Sequence, residues 1–151
     1  FIKVTNADEM FKETLNHLPA DVAIFSAAVS DWKIKNIAKK KIKKNPEVNL
    51  KLETNIDILK YISNHNSLRP KLVIGFAAET DDVEMNAKKR LDEKKCDWII
   101  ANDVSDRTIG FGSDLNEVTI FYKNDEIEKI TKMSKTLLAE KIVEKVISKF
   151  N

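Results

Sequence analysis

Three runs with almost no polar interruption, Val22 to Ala27, Leu72 to Ala78 and Trp98 to Ala101, punctuate the chain. A strand buried on both faces needs no alternation, so these runs predict central parallel strands. Pro70 marks the start of the second run. Between the runs the apolar positions fall at helical spacing. Asn6 predicts a cap for a helix from Ala7 to Leu18, with Asp8 and Glu9 in its first turn, Met10, Phe11, Leu15 and Leu18 facing inward, and Pro19 ending it. A short helix opening at Asn55 carries Ile58, Leu59 and Ile62 on one stripe and ends near His65. A third helix spans Val83 to Lys95. Ser134 predicts a cap for the last, whose Leu137, Leu138, Ile142, Val146, Ile147 and Phe150 form one face.

The remaining segments break both periods. Asp31 to Val48 is lysine-rich, contains Pro46 and predicts a long mobile loop, of the kind that usually serves as a lid or binding loop. Asn49 to Glu53 alternates as a short strand, with Leu50 and Leu52 on one face. A second polar loop, Asn102 to Leu115, holds Gly110 and Gly112. Val118 to Tyr122 and Glu126 to Ile130 predict a hairpin around Lys123-Asn124-Asp125. Strands alternating with helices give a doubly wound α/β sheet with an antiparallel hairpin at one edge, in a single domain of 151 residues.

Composition narrows the class. With 33% charged and 42% hydrophobic residues the chain is globular. No apolar run approaches the roughly 20 residues of a membrane span. A lone cysteine, Cys96, excludes an internal disulfide and fits a reducing cytoplasm. The net charge of +2 does not by itself imply a nucleic-acid partner, but seven of the twelve residues from Lys33 to Lys44 are lysine. Three glycines are few for a nucleotide-binding α/β domain. The opening Phe1-Ile2-Lys3-Val4 reads as the last turn of a strand, so the expectation is a domain lacking its first βα unit.

Candidate chemistry gathers where the first run ends. Open α/β sheets bind ligands at the carboxyl ends of their strands. There Ala27 and Ala28 allow close approach to the backbone, Asp31 offers a carboxylate for a hydroxyl or a metal, and ten residues later Lys41 stands in a basic cluster suited to phosphates. The combination points to a nucleoside triphosphate with a divalent cation. Each residue also has a plainer reading. Asp31 caps a turn or binds ligand. The lysines form a solvated loop or polyanion patch, or they hold phosphate. Phe76 is core or a surface for a base. Arg90 and Lys94, one turn apart, are a solvated face or grip one anion. Glu79-Thr80 reads as a capping pair. Cys96, without a neighbouring histidine, reads as a packed thiol. His17 and His65 are too far apart in sequence for ligand spacing.

In their order the motifs are more specific: Ala27-Ala28-Val29-Ser30-Asp31-Trp32, Lys41-Ile42-Lys43-Lys44, Asn55-Ile56-Asp57-Ile58-Leu59, Gly75-Phe76-Ala77-Ala78-Glu79-Thr80, Ala101-Asn102-Asp103-Val104-Ser105 and Gly110-Phe111-Gly112-Ser113-Asp114-Leu115-Asn116. The set resembles bacterial phosphopantothenoylcysteine synthetase, usually the C-terminal half of a bifunctional coenzyme A biosynthesis flavoprotein, over essentially the whole chain. The resemblance implies a Rossmann-like, mostly parallel sheet and a cytoplasmic ligase. It would use CTP with Mg²⁺ to activate 4′-phosphopantothenate as an acyl-cytidylate, then join it to L-cysteine. It implies nucleotide contacts from Phe25, Ser26, Ala27, Asp31, Lys41, Ile56, Asp57, Ile58, Leu59, Phe76, Arg90 and Lys94. Within that set Asp31 lies near the ribose or the metal, and Lys41 is the catalytic lysine.

Two positions depart from the family pattern: Ile56 stands where proline is usual, and Arg90 where lysine is. The family's opening glycine-rich segment, with its asparagine and Ser-Ser-Gly turn, is absent, so an impaired catalyst is expected. Asn64-His65-Asn66-Ser67 resembles that segment only superficially and follows a helix, in the wrong order. The resemblance and the pairing edge of the Val118 to Ile130 hairpin imply a homodimer. Neither a nucleic acid nor a membrane is expected as a partner. Competing readings are a noncatalytic nucleotide-binding or dimerisation fragment and a basic nucleic-acid-binding module.

Overall fold

The first helix, α1 (Ala7–Asn16), begins as the sequence dictates: Asn6 Oδ1 accepts the Glu9 N–H at 2.9 Å, and Glu9 reaches back to the Thr5 N–H at 2.7 Å. These bonds satisfy amides that the first turn leaves without a partner. In this computed structural model, residues 1–36, 38, 40–41, 49–104 and 112–151 are described. After α1 come β1 (Val22–Phe25), β2 (Trp32–Ile34), β3 (Leu52–Thr54), α2 (Ile58–Ser63), β4 (Leu72–Glu79) and α3 (Val83–Lys94). The chain closes with β5 (Trp98–Asp103), β6 (Leu115–Tyr122), β7 (Ile127–Ser134) and α4 (Lys135–Phe150).

Five strands form one sheet in the order β1-β4-β5-β6-β7. β1, β4 and β5 run parallel, and β6 and β7 add an antiparallel hairpin at one edge. The expected architecture is therefore the observed one. Alternation along β4 sends side chains to both faces. Leu72 and Ile74 join Ile100, Ile120, Leu138 and Ile142 under α4, while Val73 and Ala77 join Ala87, Leu91, Ile99 and Phe121 under α3. Ser134 Oγ caps α4 by accepting the Leu137 N–H, as the sequence indicated.

Several expectations change. The first apolar run is not a central strand: β1 is shorter, pairs only with β4 and leaves Ile24 46% exposed. An apolar run reports what a strand tolerates on its faces, not how many neighbours bond to its edges. The stretch beginning at Asp31 is not loop throughout. Trp32–Ile34 pairs antiparallel with Leu52–Thr54 in a separate two-stranded ribbon, extended by the bond from the Lys35 N–H to the Lys51 carbonyl. Three residues are too few for periodicity to register, and the pairing joins segments 18 residues apart (Ile34 to Leu52). The ribbon face carrying Lys33 is tied to α1 through Asp8 at 2.9 Å, with Glu53 at 3.9 Å. Ile37, Lys39, residues 42–48 and residues 105–111 lie outside the described residues, and with them most of the lysine run and of the second polar loop.

The helix ends also move. α1 stops at Asn16, before Pro19, and none of its side chains is fully buried. α2 is capped by Asp57 rather than Asn55: Asp57 Oδ1 accepts the Lys60 N–H at 2.9 Å. Glu79 ends β4 and does not cap α3, whose N-cap is Asp82 in a left-handed conformation.

Candidate functional site

At the carboxyl ends of β1 and β4 a cavity of about 150 Å³ opens between the sheet, the turn after β1 and the start of α2. Its walls contain ten of the twelve sequence-designated residues: Phe25, Ala27, Asp31, Ile56, Asp57, Ile58, Leu59, Phe76, Arg90 and Lys94. Ser26 and Lys41 are not among the lining residues; both are exposed. Ligand cavities usually measure roughly 300–1,000 Å³, so this one accepts a ring-sized group and leaves a larger ligand to extend over the rim.

Each wall has a local cause. Gly75 lets α2 approach β4: a Cβ there would stand 2.6 Å from Leu59 Cδ2 and 3.0 Å from Ile99 Cδ1. The absent side chain thus sets the floor beneath Leu59. Asn55 fixes the opposite wall. Its N–H donates to the Asp31 carbonyl and its Nδ2 to the Ser30 carbonyl, both at 2.8 Å. These bonds clamp the turn carrying Asp31 onto the segment that leads into α2. Asn55 Oδ1 is buried there without a hydrogen-bond partner.

The cations are one turn apart on α3, as their spacing required, but they are not joined on one anion. Lys94 Nζ pairs with Asp57 Oδ2, so Asp57 both caps α2 and holds a cavity lysine. Arg90 Nε lies 2.6 Å from Glu79 Oε1, an ion pair without the alignment of a hydrogen bond. The cavity therefore contains two neutralised cations and, in Asp31, an exposed carboxylate with no ion pair among the described residues. Sequence reading left out Met10, Val29, Ser30 and Asn55 from the lining and took Glu79 for a cap. No sequence spacing announces the Glu79–Arg90 pair, which depends on α3 folding back beside β4.

Other candidates resolve as packing. Cys96 is buried among core side chains, and burial pushes its thiol up to about 12, far from nucleophilic use at neutral pH. Nδ1 of His65 accepts the Leu68 N–H, while Nδ1 of His17 lies against the Glu13 carbonyl; the described residues contain no metal-binding cluster of histidine, cysteine and carboxylates. No helix among the described residues is long and apolar enough to cross a membrane. A larger cavity of about 520 Å³ opens at the opposite end of the strands, lined by Lys71, Trp98, Tyr122, Lys145 and Lys149. Part of its charge is already engaged, Lys71 by Asp21 and Lys145 by Glu128.

Similarity to known proteins extends over nearly the whole chain. The family model for the DNA/pantothenate metabolism flavoprotein C-terminal domain matches residues 1–150. The coenzyme A biosynthesis bifunctional protein CoaBC of Bacillus subtilis is 37% identical over 148 residues, covering 97% of this chain and 36% of that protein. The chain thus spans about a third of the length of the curated relatives it matches. The crystal structure of the C-terminal domain of a CoaBC protein superposes with a TM-score of 0.76 at 31% identity, covering 99% of this chain and 67% of that one. The fold also recurs, at 16% identity and a TM-score of 0.54, in the Cab2 mutant H337A solved with phosphopantothenate-cysteine, over 78% of this chain and 41% of that one. By sequence and by fold, the chain belongs to the DNA/pantothenate metabolism flavoprotein C-terminal domain family.

Proposed function

We propose that this domain binds CTP and serves the ligation of 4′-phosphopantothenate to L-cysteine in coenzyme A biosynthesis. The observation that carries the reading is the gathering of ten designated residues around one cavity at the carboxyl ends of β1 and β4. Family membership and a related fold captured with phosphopantothenate-cysteine support it. In this reading the pyrimidine takes the ring-sized cavity between Phe25, Phe76 and the Ile56 to Leu59 segment, with backbone groups of that segment reading its edge. The phosphates lie outward toward Arg90 and Lys94. Mg²⁺ commonly binds through one or two carboxylates plus substrate phosphates. Asp31, a carboxylate without an ion pair among the described residues, fits that donor set, and the bound ion would neutralise charge on the triphosphate.

The chemistry follows from the weakness of a carboxylate as an acylating agent. The phosphopantothenate carboxylate attacks the α-phosphorus of CTP, and the bond to the β-phosphate breaks to release pyrophosphate. The cysteine amine then attacks the activated carbonyl carbon; the acyl-oxygen bond breaks, CMP leaves and the nitrogen gives up a proton. Lys41 supplies positive charge to this sequence, which requires it to approach from outside the cavity wall. The reading includes a homodimer and a cytoplasmic location. Dimerisation is supported less by the β6–β7 hairpin than by the ribbon, whose outer face exposes Trp32 (57%), Ile34 (43%) and Leu52 (56%).

Calorimetric titration in the presence of Mg²⁺ tests the nucleotide assignment. CTP should bind more tightly than ATP or GTP, because the cavity takes one ring and its wall reads a pyrimidine edge. Equal affinities for the three would refute it.

A further inference from the structure

Glu79 does not line the cavity but pairs with Arg90, which does, and only 11% of its side chain is accessible. Burying a carboxylate is unfavourable unless a cation repays the lost hydration. The only ion pair of Glu79 among the described residues is with Arg90, a side chain 46% exposed that lines the cavity. The carboxylate is buried at a cost, and its cationic partner among the described residues lines the site.

The geometry of the pair gives the reason. Glu79 Oε1 lies 2.6 Å from Nε of Arg90 in an ion pair without hydrogen-bond alignment, and the two terminal nitrogens of the guanidinium have no hydrogen-bond partner among the described residues. A guanidinium presents five donors on a rigid planar fork, so one edge can be held while another binds an anion bidentately. An ammonium has no second edge of fixed direction.

We propose that Glu79 is a positioning residue for the phosphate end of the site. By pairing with Arg90 on its Nε side, it keeps the guanidinium beside the cavity so that the terminal nitrogens meet the outer phosphates of a bound nucleoside triphosphate. This rests on the reading of the cavity as a triphosphate site. Glu79 touches no substrate and acts only through Arg90. Lys94 is held differently, by Asp57 at the cap of α2, and is not part of this device.

The test compares MgCTP with CMP, which lacks the outer phosphates, by calorimetric titration of the 151-residue chain. Glu79→Gln should weaken MgCTP binding about tenfold, the scale of one charge-assisted hydrogen bond, and leave CMP affinity unchanged. In an Arg90→Ala background the same Glu79→Gln change should have no effect on either ligand. A purely structural glutamate would weaken both ligands alike and would do so with or without Arg90; either result overturns the proposal. Should Glu79→Gln fail to fold, Arg90→Lys carries the test. It keeps a cation for Glu79 but loses the fork, so the MgCTP to CMP affinity ratio should fall, and an unchanged ratio overturns the proposal. Wild-type chain that binds neither MgCTP nor CMP would defeat the nucleotide reading itself. Selective CTP binding with an unaltered ratio in both variants would defeat the positioning role alone.

Discussion

Replacing Gly75 by alanine isolates the contact that shapes the cavity floor. The new Cβ would lie 2.6 Å from Leu59 Cδ2 and 3.0 Å from Ile99 Cδ1. The first distance is untenable, so Leu59 must withdraw, and its escape leads into the cavity it lines. Overpacking of this kind costs about 1–3 kcal/mol. Against this, alanine is favoured over glycine inside a strand by about 0.5–1 kcal/mol. The net expectation is a loss of up to about 2.5 kcal/mol, or at most roughly 10 °C in Tm for a chain of this size. Urea and thermal unfolding followed by far-UV circular dichroism would measure it.

The decisive comparison uses a Leu59→Ala background. With the leucine methyl groups gone, the clash disappears and only the tighter contact to Ile99 remains. Gly75→Ala should then be neutral, or stabilising by up to about 1 kcal/mol, reversing its sign. If Gly75→Ala costs the same in both backgrounds, the strain lies elsewhere and the argument that glycine admits α2 to the sheet fails. The same substitution in the wild-type background should weaken any ligand whose ring enters the cavity, since Leu59 then occupies part of that space.

The burial of Cys96 has a pH signature. Its thiol titrates at about 12 in the folded protein against 9.0 for the free group. The neutral thiol therefore contributes stability that is complete below pH 9 and lost as pH rises toward 12, at most about 4 kcal/mol over the interval. Cys96→Ala should flatten the unfolding free energy across that window, and an unchanged slope would refute the assignment. In a ligation-competent form of this protein, Lys41→Gln should lower the ligation rate by roughly 10² or more while weakening CTP binding modestly. Lys39→Gln should do little, and equal small effects would reduce both lysines to a diffuse field. Trp32→Ser with Ile34→Ser should shift sedimentation from dimer to a 17.3 kDa monomer; an unaffected dimer would exclude the ribbon as its surface.

The sequence by itself determined the elements whose reasons are local. Asn6 and Ser134 cap their helices because a short polar side chain can bond amides three residues on, and that chemistry needs no tertiary partner. The runs at Leu72 and Trp98 formed buried strands as predicted, whereas of the stripe predicted on α4 Leu138 and Ile142 are buried, Val146 is partly buried, and Leu137, Ile147 and Phe150 remain exposed. The family resemblance named twelve residues, of which ten, but not Ser26 and Lys41, line one cavity, since strand ends in an open α/β sheet converge on one side. Tertiary structure decided what depends on pairing across distance. β1 became an edge, Trp32–Ile34 found Leu52–Thr54, and Asp57 rather than Asn55 capped α2 while Asn55 clamped the turn at Asp31. The charges followed the same rule. Arg90 and Lys94 share a helix face by spacing alone, but only the packing of α3 beside β4 and α2 could bring Glu79 to the one and Asp57 to the other.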